Sequence, residues 1–369
     1  MRTLVTGGAG FIGSYLVRRL AALGDEVVVL DALEPQVHGG VPPELPEGVR
    51  LLHGDVGDAE LADRALAGVD RVVHLAAAVG VGQSMYEIAR YVRANSAATA
   101  VFLERLVAVS PRPASLVVAS SMSIYGEGEY LCAEHGGVAP RPRPAAQLAA
   151  RDWECRCPAC GAALEPRGTR EEKPLAPTSV YAVTKRDHEE LCLAVGGAYG
   201  IRTTALRFFN VYGPGQALSN PYTGVAAIFS SRLLNGRRPI VFEDGRQTRD
   251  LVHVSDVVEG ILLALGSERA AGHAVNLGTG RRTSVLEVAG ALAAGLGVDV
   301  EPEVTARFRA GDIRHCYADT RRAEELLGFR ARVPLERGMA ELVAWLAGRE
   351  AEDRAEAAAA ELTAWGLTL

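Results

Sequence analysis

Tyr181 and Lys185 stand at i and i+4 in Tyr181-Ala182-Val183-Thr184-Lys185. The pattern predicts a helix over 180–195, so both side chains share one face. A phenol titrates near pH ~10 when unperturbed. An ammonium beside it favours the phenolate, and the pair could then move a proton near neutral pH. Ser121 follows the apolar run Leu116–Ser120, which predicts a strand. The carboxyl edge of such a strand is where ligands bind in open α/β sheets. A hydroxyl there could bond the oxygen that reacts. Taken alone, Tyr-x-x-x-Lys is frequent on solvated helix faces; its weight comes from the company it keeps.

That company begins at Gly7-Gly8-Ala9-Gly10-Phe11-Ile12-Gly13, which follows the predicted strand Thr3–Thr6 and opens a predicted helix, Ser14–Leu23. Gly7, Gly10 and Gly13 allow a tight turn, close approach of backbone to a pyrophosphate, and close helix–strand packing. With Phe11 and Ile12 they present the positive N-terminus of the helix to an anion. Asp31 lies 18 residues after Gly13, at the end of the next predicted strand, Glu26–Leu30. A carboxylate there binds the adenosine ribose hydroxyls and repels a 2′-phosphate, which favours NAD over NADP. The competing reading is a plain glycine turn and a helix-capping aspartate.

A second chemistry is written in the cysteines. Cys132-Ala133-Glu134-His135-Gly136 and Cys157-Pro158-Ala159-Cys160-Gly161 are two short knuckles separated by 21 residues. Cys132, His135, Cys157 and Cys160 suit a closed tetrahedral zinc site, structural because no position is left for water. The alternative is a reduced, metal-free loop. Cys155 is then a spare thiol, and Cys192 and Cys316 read as buried, inert thiols.

Elements must position these groups. Short apolar runs without alternation, at Thr3–Thr6, Glu26–Leu30, Arg50–His53, Arg71–Ala76, Leu116–Ser120 and Thr203–Phe208, suit strands buried on both faces. Amphipathic stretches alternate with them, including Ala59–Leu66 and a long helix expected over Tyr86–Val109. The fold class is α/β: a Rossmann-type doubly wound parallel sheet, a smaller C-terminal substrate-binding lobe and a cysteine-containing insertion. We expect an NAD-binding core over 1–126, the insertion over 127–178, the rest of the core over 179–212 and mainly the substrate lobe over 213–349. A strand near 275–277 should return to the core sheet. The tail 350–369 should be a helix packed on a lobe or a second subunit, or else solvated. The 369 residues carry 39 Lys+Arg and 45 Asp+Glu, a net charge of 39 − 45 = −6. That balance argues against nucleic-acid and anionic-lipid partners. No apolar run is long enough to span a membrane. A strand beginning at Arg2 leaves no room for a signal peptide, so a cytoplasmic location is expected.

The glycine loop, Asp31, Gly54-Asp55-Val56, His74-Leu75-Ala76-Ala77, Ser121 and Tyr-x-x-x-Lys together resemble the extended short-chain dehydrogenases/reductases, and within them the NAD-dependent nucleotide-sugar epimerase/dehydratase family. The resemblance covers nearly the whole chain outside 127–178. It implies catalysis by Ser121, Tyr181 and Lys185. It implies cofactor contacts from Asp55, Val56, Leu75, Ala76, Ala77, Asn95, Tyr181 and Lys185. Arg207-Phe208-Phe209-Asn210-Val211-Tyr212-Gly213-Pro214, Arg249-Asp250-Leu251-Val252-His253-Val254 and Arg309-Ala310-Gly311-Asp312 resemble nucleotide-sugar motifs. They imply that Asn210, Arg249 and Arg309 meet a diphosphate and Asp312 a ribose, with Ser84 and Ser123 also on the substrate. Two separated guanidiniums suit a diphosphate, which accepts charge-assisted bonds.

After Ser121 come Met122 and Ser123, where the family's 4,6-dehydratases carry an Asp–Glu acid and base. Methionine transfers no proton, so 4-epimerisation through a 4-keto intermediate is expected, with NAD retained. Segments 31–39, 79–86 and 219–225 most resemble the dTDP-L-rhamnose 4-epimerases. A nucleotide-4-ketosugar reductase would use the same three groups. A non-catalytic NAD sensor would have no use for all three. The family resemblance also implies a homodimer through the 86–109 and 180–195 helices.

Overall fold

The computed structural model describes every residue except Pro42, Thr223, Ala310 and Leu369. Ala310, quoted above, and Thr223, within segment 219–225, therefore lie outside the described residues.

Seven parallel strands form the central sheet. In spatial order they are Ala274–Leu277, Arg202–Phe208, Ser115–Ser121, Arg71–His74, Arg2–Thr6, Glu26–Asp31 and Arg50–His53. Their Val/Leu runs bury both faces: Leu4, Val28, Val72, Leu116 and Val118 line one face, and Val5, Val29, Val73, Val117 and Leu206 the other. The strand order reverses between Arg2–Thr6 and Arg71–His74, where Thr6 pairs with His74. Loops leaving the carboxyl ends of those two strands diverge to opposite faces and open the crevice that doubly wound sheets use for ligands.

The first helix, Phe11–Ala22, buries Leu16, Val17 and Leu20. Leu23, expected on the same stripe, is instead 55% exposed, because the helix stops before it and Gly24 turns the chain at φ +84°. The Arg71 strand ends at His74, two residues short of expectation. The helix expected over Tyr86–Val109 is broken up: a 3₁₀ turn at Gln83–Met85, helix Ile88–Tyr91, a π-helical stretch Val92–Ala97, then helix Ala98–Ala108. The helix Val180–Tyr199 runs four residues beyond expectation to a left-handed Gly200.

The lobe wraps helices Val225–Leu234, Val285–Leu296 and Leu335–Leu346 around a separate core containing Phe229, Val288, Leu292 and Leu342. The tail is helical only over Ala355–Ala364. It packs on the chain itself: Asp353 pairs with buried Arg232 at 3.3 Å, and Trp365 stacks on Tyr86 at 5.9 Å. The insertion has its own three-stranded antiparallel sheet, Glu129–Cys132 between Gly136–Val138 and Glu165–Arg167. Tyr130, Cys132, Cys155, Cys157 and Leu164 form a small core beside it.

Candidate active site and a four-donor cluster

At the reversal point the glycine loop is drawn tight. Gly7 has φ +69°, and a Cβ on it would lie 2.8 Å from the Ala76 nitrogen. A Cβ on Gly13 would lie 2.2 Å from the Gly7 carbonyl oxygen. Gly10 caps the Phe11–Ala22 helix without a side-chain bond, and no acidic residue occupies the first turn. That end therefore presents free N–H groups to an anion. Asp31 closes the other side: its carboxylate accepts from the Ala9 and Leu33 amides at 2.9 Å each, and His38 Nε2 lies 3.7 Å away. The loop, the bare helix end and Asp31 fit a dinucleotide. Val56 packs in the core, and Asp55 turns its own loop by accepting from the Gly57 amide at 2.7 Å. Leu75, Ala76 and Ala77 follow the Arg71–His74 strand directly.

Asn95 sits on the π-helical stretch and is fully buried. Its Oδ1 accepts from the Ala78 amide at 2.7 Å. Its Nδ2 donates to the Ala78 carbonyl at 3.1 Å and to Thr184 Oγ1 at 2.9 Å. Asn95 thus ties the loop after His74 to the helix that carries Tyr181. Thr184, inside the Tyr-x-x-x-Lys run, was not singled out from sequence; its hydroxyl then donates to the Tyr181 carbonyl at 2.9 Å. Ser84 Oγ accepts from the Tyr181 amide at 2.9 Å, so Ser84 holds the start of the same helix.

Tyr181 and Ser121 meet at the carboxyl edge of the sheet. Burial raises the Tyr181 phenol, partly offset by a bond to the Ser121 hydroxyl. Lys185, expected to favour the phenolate, sits one helical turn further along the same helix. Burial itself lowers Lys185 to about 8, and its Nζ lies 3.0 Å from His188 Nδ1. His188 packs edge-on to His74 at 4.4 Å, and His74 lies 2.6 Å from Thr6 Oγ1. His74 was quoted from sequence only within the His74-Leu75-Ala76-Ala77 motif, and His188, inside a charged run, was not singled out. Beside Ser121, Met122 is buried and the Ser123 hydroxyl donates to Ser121 Oγ at 2.9 Å.

The expected substrate residues gather on the lobe side. Asn210 opens a short strand, Asn210–Tyr212, and its buried amide oxygen has no hydrogen-bond partner among the described residues. Arg249 donates to the Ile313 and Arg314 carbonyls at 2.8 and 3.1 Å and lies 3.5 Å from Asp312. Arg309 donates to Asp312 at 2.9 Å. Burial raises the Asp312 carboxyl, but the Arg309 and Arg249 guanidiniums outweigh it and hold it below its ordinary value. The distinctive segments also converge: Gln36 Nε2 donates to Gln83 at 3.1 Å and to Asn220 at 3.2 Å, and Tyr91 OH donates to Gln83 at 3.1 Å. Tyr86 and Tyr222 share a 2.6 Å hydroxyl contact, and Tyr222 donates to Glu361 of the tail at 2.9 Å. No sequence signal links residues so far apart.

In the insertion, the donor atoms of Cys132, His135, Cys157 and Cys160 all lie within 4.8 Å of one another. Cys132 Sγ is 3.5 Å from His135 Nδ1 and 3.7 Å from Cys160 Sγ, and Cys157 Sγ is 3.7 Å from His135 Nδ1. Tetrahedral zinc, with bonds of about 2.3 Å to sulfur and about 2.0 Å to nitrogen, would space its ligands by roughly 3.5–3.8 Å. Gly136 and Gly161 have φ +71° and +72°, as the knuckles require. The Glu134 and His135 amides hold the Cys132 thiol below its ordinary value. Cys155 stands apart, donating to Tyr130 OH at 3.3 Å.

A parallel sheet with a glycine loop at its reversal point and a Ser/Tyr/Lys edge defines a class, the extended short-chain dehydrogenases/reductases. Residues 3–143 and 157–278 match the NAD dependent epimerase/dehydratase family, and the chain belongs to it. It is an enzyme of that family. It is 38% identical over 351 residues to a dTDP-L-rhamnose 4-epimerase of Burkholderia thailandensis, covering 94% of this chain and 95% of that one. Among solved structures, UDP-glucose 4-epimerase of Thermotoga maritima with UDP-glucose has a TM-score of 0.76 at 30% identity, covering 94% of this chain and 98% of the other. UDP-glucose 4-epimerase of Thermus thermophilus in complex with NAD has a TM-score of 0.75 at 31% identity, covering 94% and 99%. Among the described residues, no helix is long and apolar enough to cross a membrane.

Proposed function

We propose that the chain is a nucleotide-sugar 4-epimerase, with dTDP-L-rhamnose as substrate. The observation that carries the reaction type is the edge at Ser121. Tyr181 and Ser121 meet there, while Met122 is buried and Ser123 is bonded back to Ser121. Neither side chain is a carboxylic acid that could drive loss of water. Support for the sugar comes from the relative that is 38% identical.

In this reading Tyr181, as phenolate, takes the proton of the sugar 4-hydroxyl while Ser121 holds that oxygen. NAD, which the glycine loop, the Phe11–Ala22 helix end and Asp31 would hold, would supply reversible hydride exchange with C4 on either face of the ring. Tyr181 then returns its proton to the oxygen, so atoms and charge balance and no external reductant is consumed. Lys185 leaves His188 to hold the nicotinamide ribose and stabilise the phenolate. Arg249, Arg309, Asn210 and Asp312 fix the nucleotide diphosphate while the 4-keto sugar turns. A 4-ketosugar reductase would need fresh reduced cofactor at every turnover, and a sensor would show no turnover. The test is to incubate the purified enzyme with dTDP-L-rhamnose and UDP-glucose, without added cofactor, and follow C4 configuration by NMR. Inversion at C4 of dTDP-L-rhamnose supports the proposal. Inversion of UDP-glucose alone overturns the sugar, and a strict need for added NADH overturns the epimerase.

We also propose that Cys132, His135, Cys157 and Cys160 hold one structural zinc. The donor spacing supports it. The chain would act as a homodimer through the Ile88–Ala108 and Val180–Tyr199 region, which presents Ile88, Val92 and Val183 to solvent.

A further inference from the structure

Many polar groups of the insertion converge on one strip of chain, residues 308–318, while Lys173 donates to the Tyr125 carbonyl and Glu171 accepts from the Asn276 amide. Glu127 accepts from the Arg314 amide at 2.8 Å, and Tyr130 OH accepts from the His315 amide at 3.2 Å. Glu154 accepts from the Arg314 guanidinium at 2.6 Å and lies 3.3 Å from His315 Nε2. Trp153 packs edge-on to Phe308, and Thr178 donates to the Gly311 carbonyl at 2.8 Å. Arg143 is the buried cation among these ties from the insertion to the strip. It is 8% exposed and donates to the Asp312 carbonyl at 3.1 Å, to Glu243 at 3.0 Å and to the Trp153 carbonyl at 2.9 Å.

The same strip carries the diphosphate arm of the proposed site. Arg309 and Asp312 belong to it, and Arg249 is aimed by the Ile313 and Arg314 carbonyls. We propose that the insertion is a brace for the diphosphate arm. Arg143 and Glu127 act as positioning residues, and the four-donor cluster locks the strand Glu129–Cys132 from which the brace extends. This rests on the nucleotide-sugar reading above and, for the cluster, on the zinc reading. Planar guanidinium forks hold carbonyl and carboxylate partners in fixed geometry, which a lysine does not reproduce. The insertion therefore sets substrate affinity and leaves the hydride step alone. Among the described residues, the hydrogen bonds of Arg143 and Glu154 go to residues other than Tyr181, Lys185 and the glycine loop.

The test uses the full-length enzyme, Arg143→Lys and Glu154→Gln, with dTDP and UDP as probes in calorimetry. It also measures KM against kcat on the turned-over nucleotide sugar, bound NAD and zinc content. Both variants should weaken binding of the preferred diphosphate and raise KM by about tenfold, the scale of one lost charge-assisted bond. Both should keep kcat, bound NAD and zinc. A merely structural role would lower the melting temperature without separating KM from kcat. Glu154 is partly exposed, so its variant keeps the test open should Arg143→Lys fail to fold. Unchanged diphosphate affinity in a folded variant overturns the brace, as does a parallel loss of kcat and NAD. Absence of zinc from the wild type removes the metal reading alone. Failure of wild type to bind either diphosphate brings down the nucleotide-sugar reading and the brace with it.

Discussion

Lys185 and its two histidines occupy a dry pocket under the reacting edge, and that dryness has measurable results. Burial lowers His74 to about 3, with Lys185 adding to the effect, and pushes His188 well below its ordinary value for the same reasons. Both are bases that stay neutral when folded. In the unfolded chain they take up protons below pH ~6.5. Stability is therefore full above that value and falls as pH drops through the window down to about 3 for His74. Each pH unit removes about 1.4 kcal/mol per histidine. Urea midpoints between pH 7 and 5 should fall less steeply in His74→Gln than in wild type; equal slopes would show that His74 titrates normally. Tyr181→Phe removes only the proton-transfer hydroxyl. Turnover should fall by about 10²–10⁴-fold, with bound NAD and diphosphate affinity retained, and near-wild-type rates would refute the assignment. Ser121, Tyr181 and Lys185 were legible in sequence because chemistry and spacing are local. Arg143, Glu127, His188 and the Gln36–Gln83–Asn220 cluster were not, since each is defined by a partner far along the chain.

Between residues and the whole lie elements whose type was read correctly but whose details were set by packing. The strands of the sheet were visible as unbroken Val/Leu runs. The π-helical stretch at Val92–Ala97 was not, because nothing in its composition differs from an α-helix. The i→i+5 pattern that puts Asn95 against Ala78 and Thr184 is imposed by those tertiary partners. The knuckles of the insertion were legible because ligand spacing and the following glycines are local demands. Elemental analysis of metal-replete protein should find about one zinc per chain. Cys132→Ser and Cys160→Ser should lose it and loosen residues 127–178 first, read as faster amide exchange there. Cys155→Ser should keep the metal, since that thiol faces Tyr130. Loss of metal through Cys155→Ser alone would show that the ligand set is wrong. Gly13→Ala tests the loop in the same way. Its Cβ would meet backbone at 2.2 Å, so a loss of about 1–3 kcal/mol and of bound NAD is expected in thermal melts and absorbance.

At the scale of the molecule, alternation of strands and helices foretold the parallel sheet, and a return near 275–277 was expected. What the sequence could not display is how much of the core waits for that return. The strand Arg202–Phe208 is buried along nearly its whole length, yet its neighbour on one side, Ala274–Leu277, arrives only after much of the lobe. Its cover is later still: Ala318, Ala323, Leu327 and Phe329 belong to the same core as Leu206 and Leu277. Synthesis runs in one direction, so a ribosome partway through the lobe holds a sheet with an open, apolar edge. Such an edge is a template for wrong pairing. Chains arrested before residue 274 should therefore be protease-sensitive and chaperone-bound, whereas chains released beyond 346, with the lobe helix Leu335–Leu346 complete, should resist digestion. The place where translation pauses would then decide, for this enzyme, between folding and aggregation.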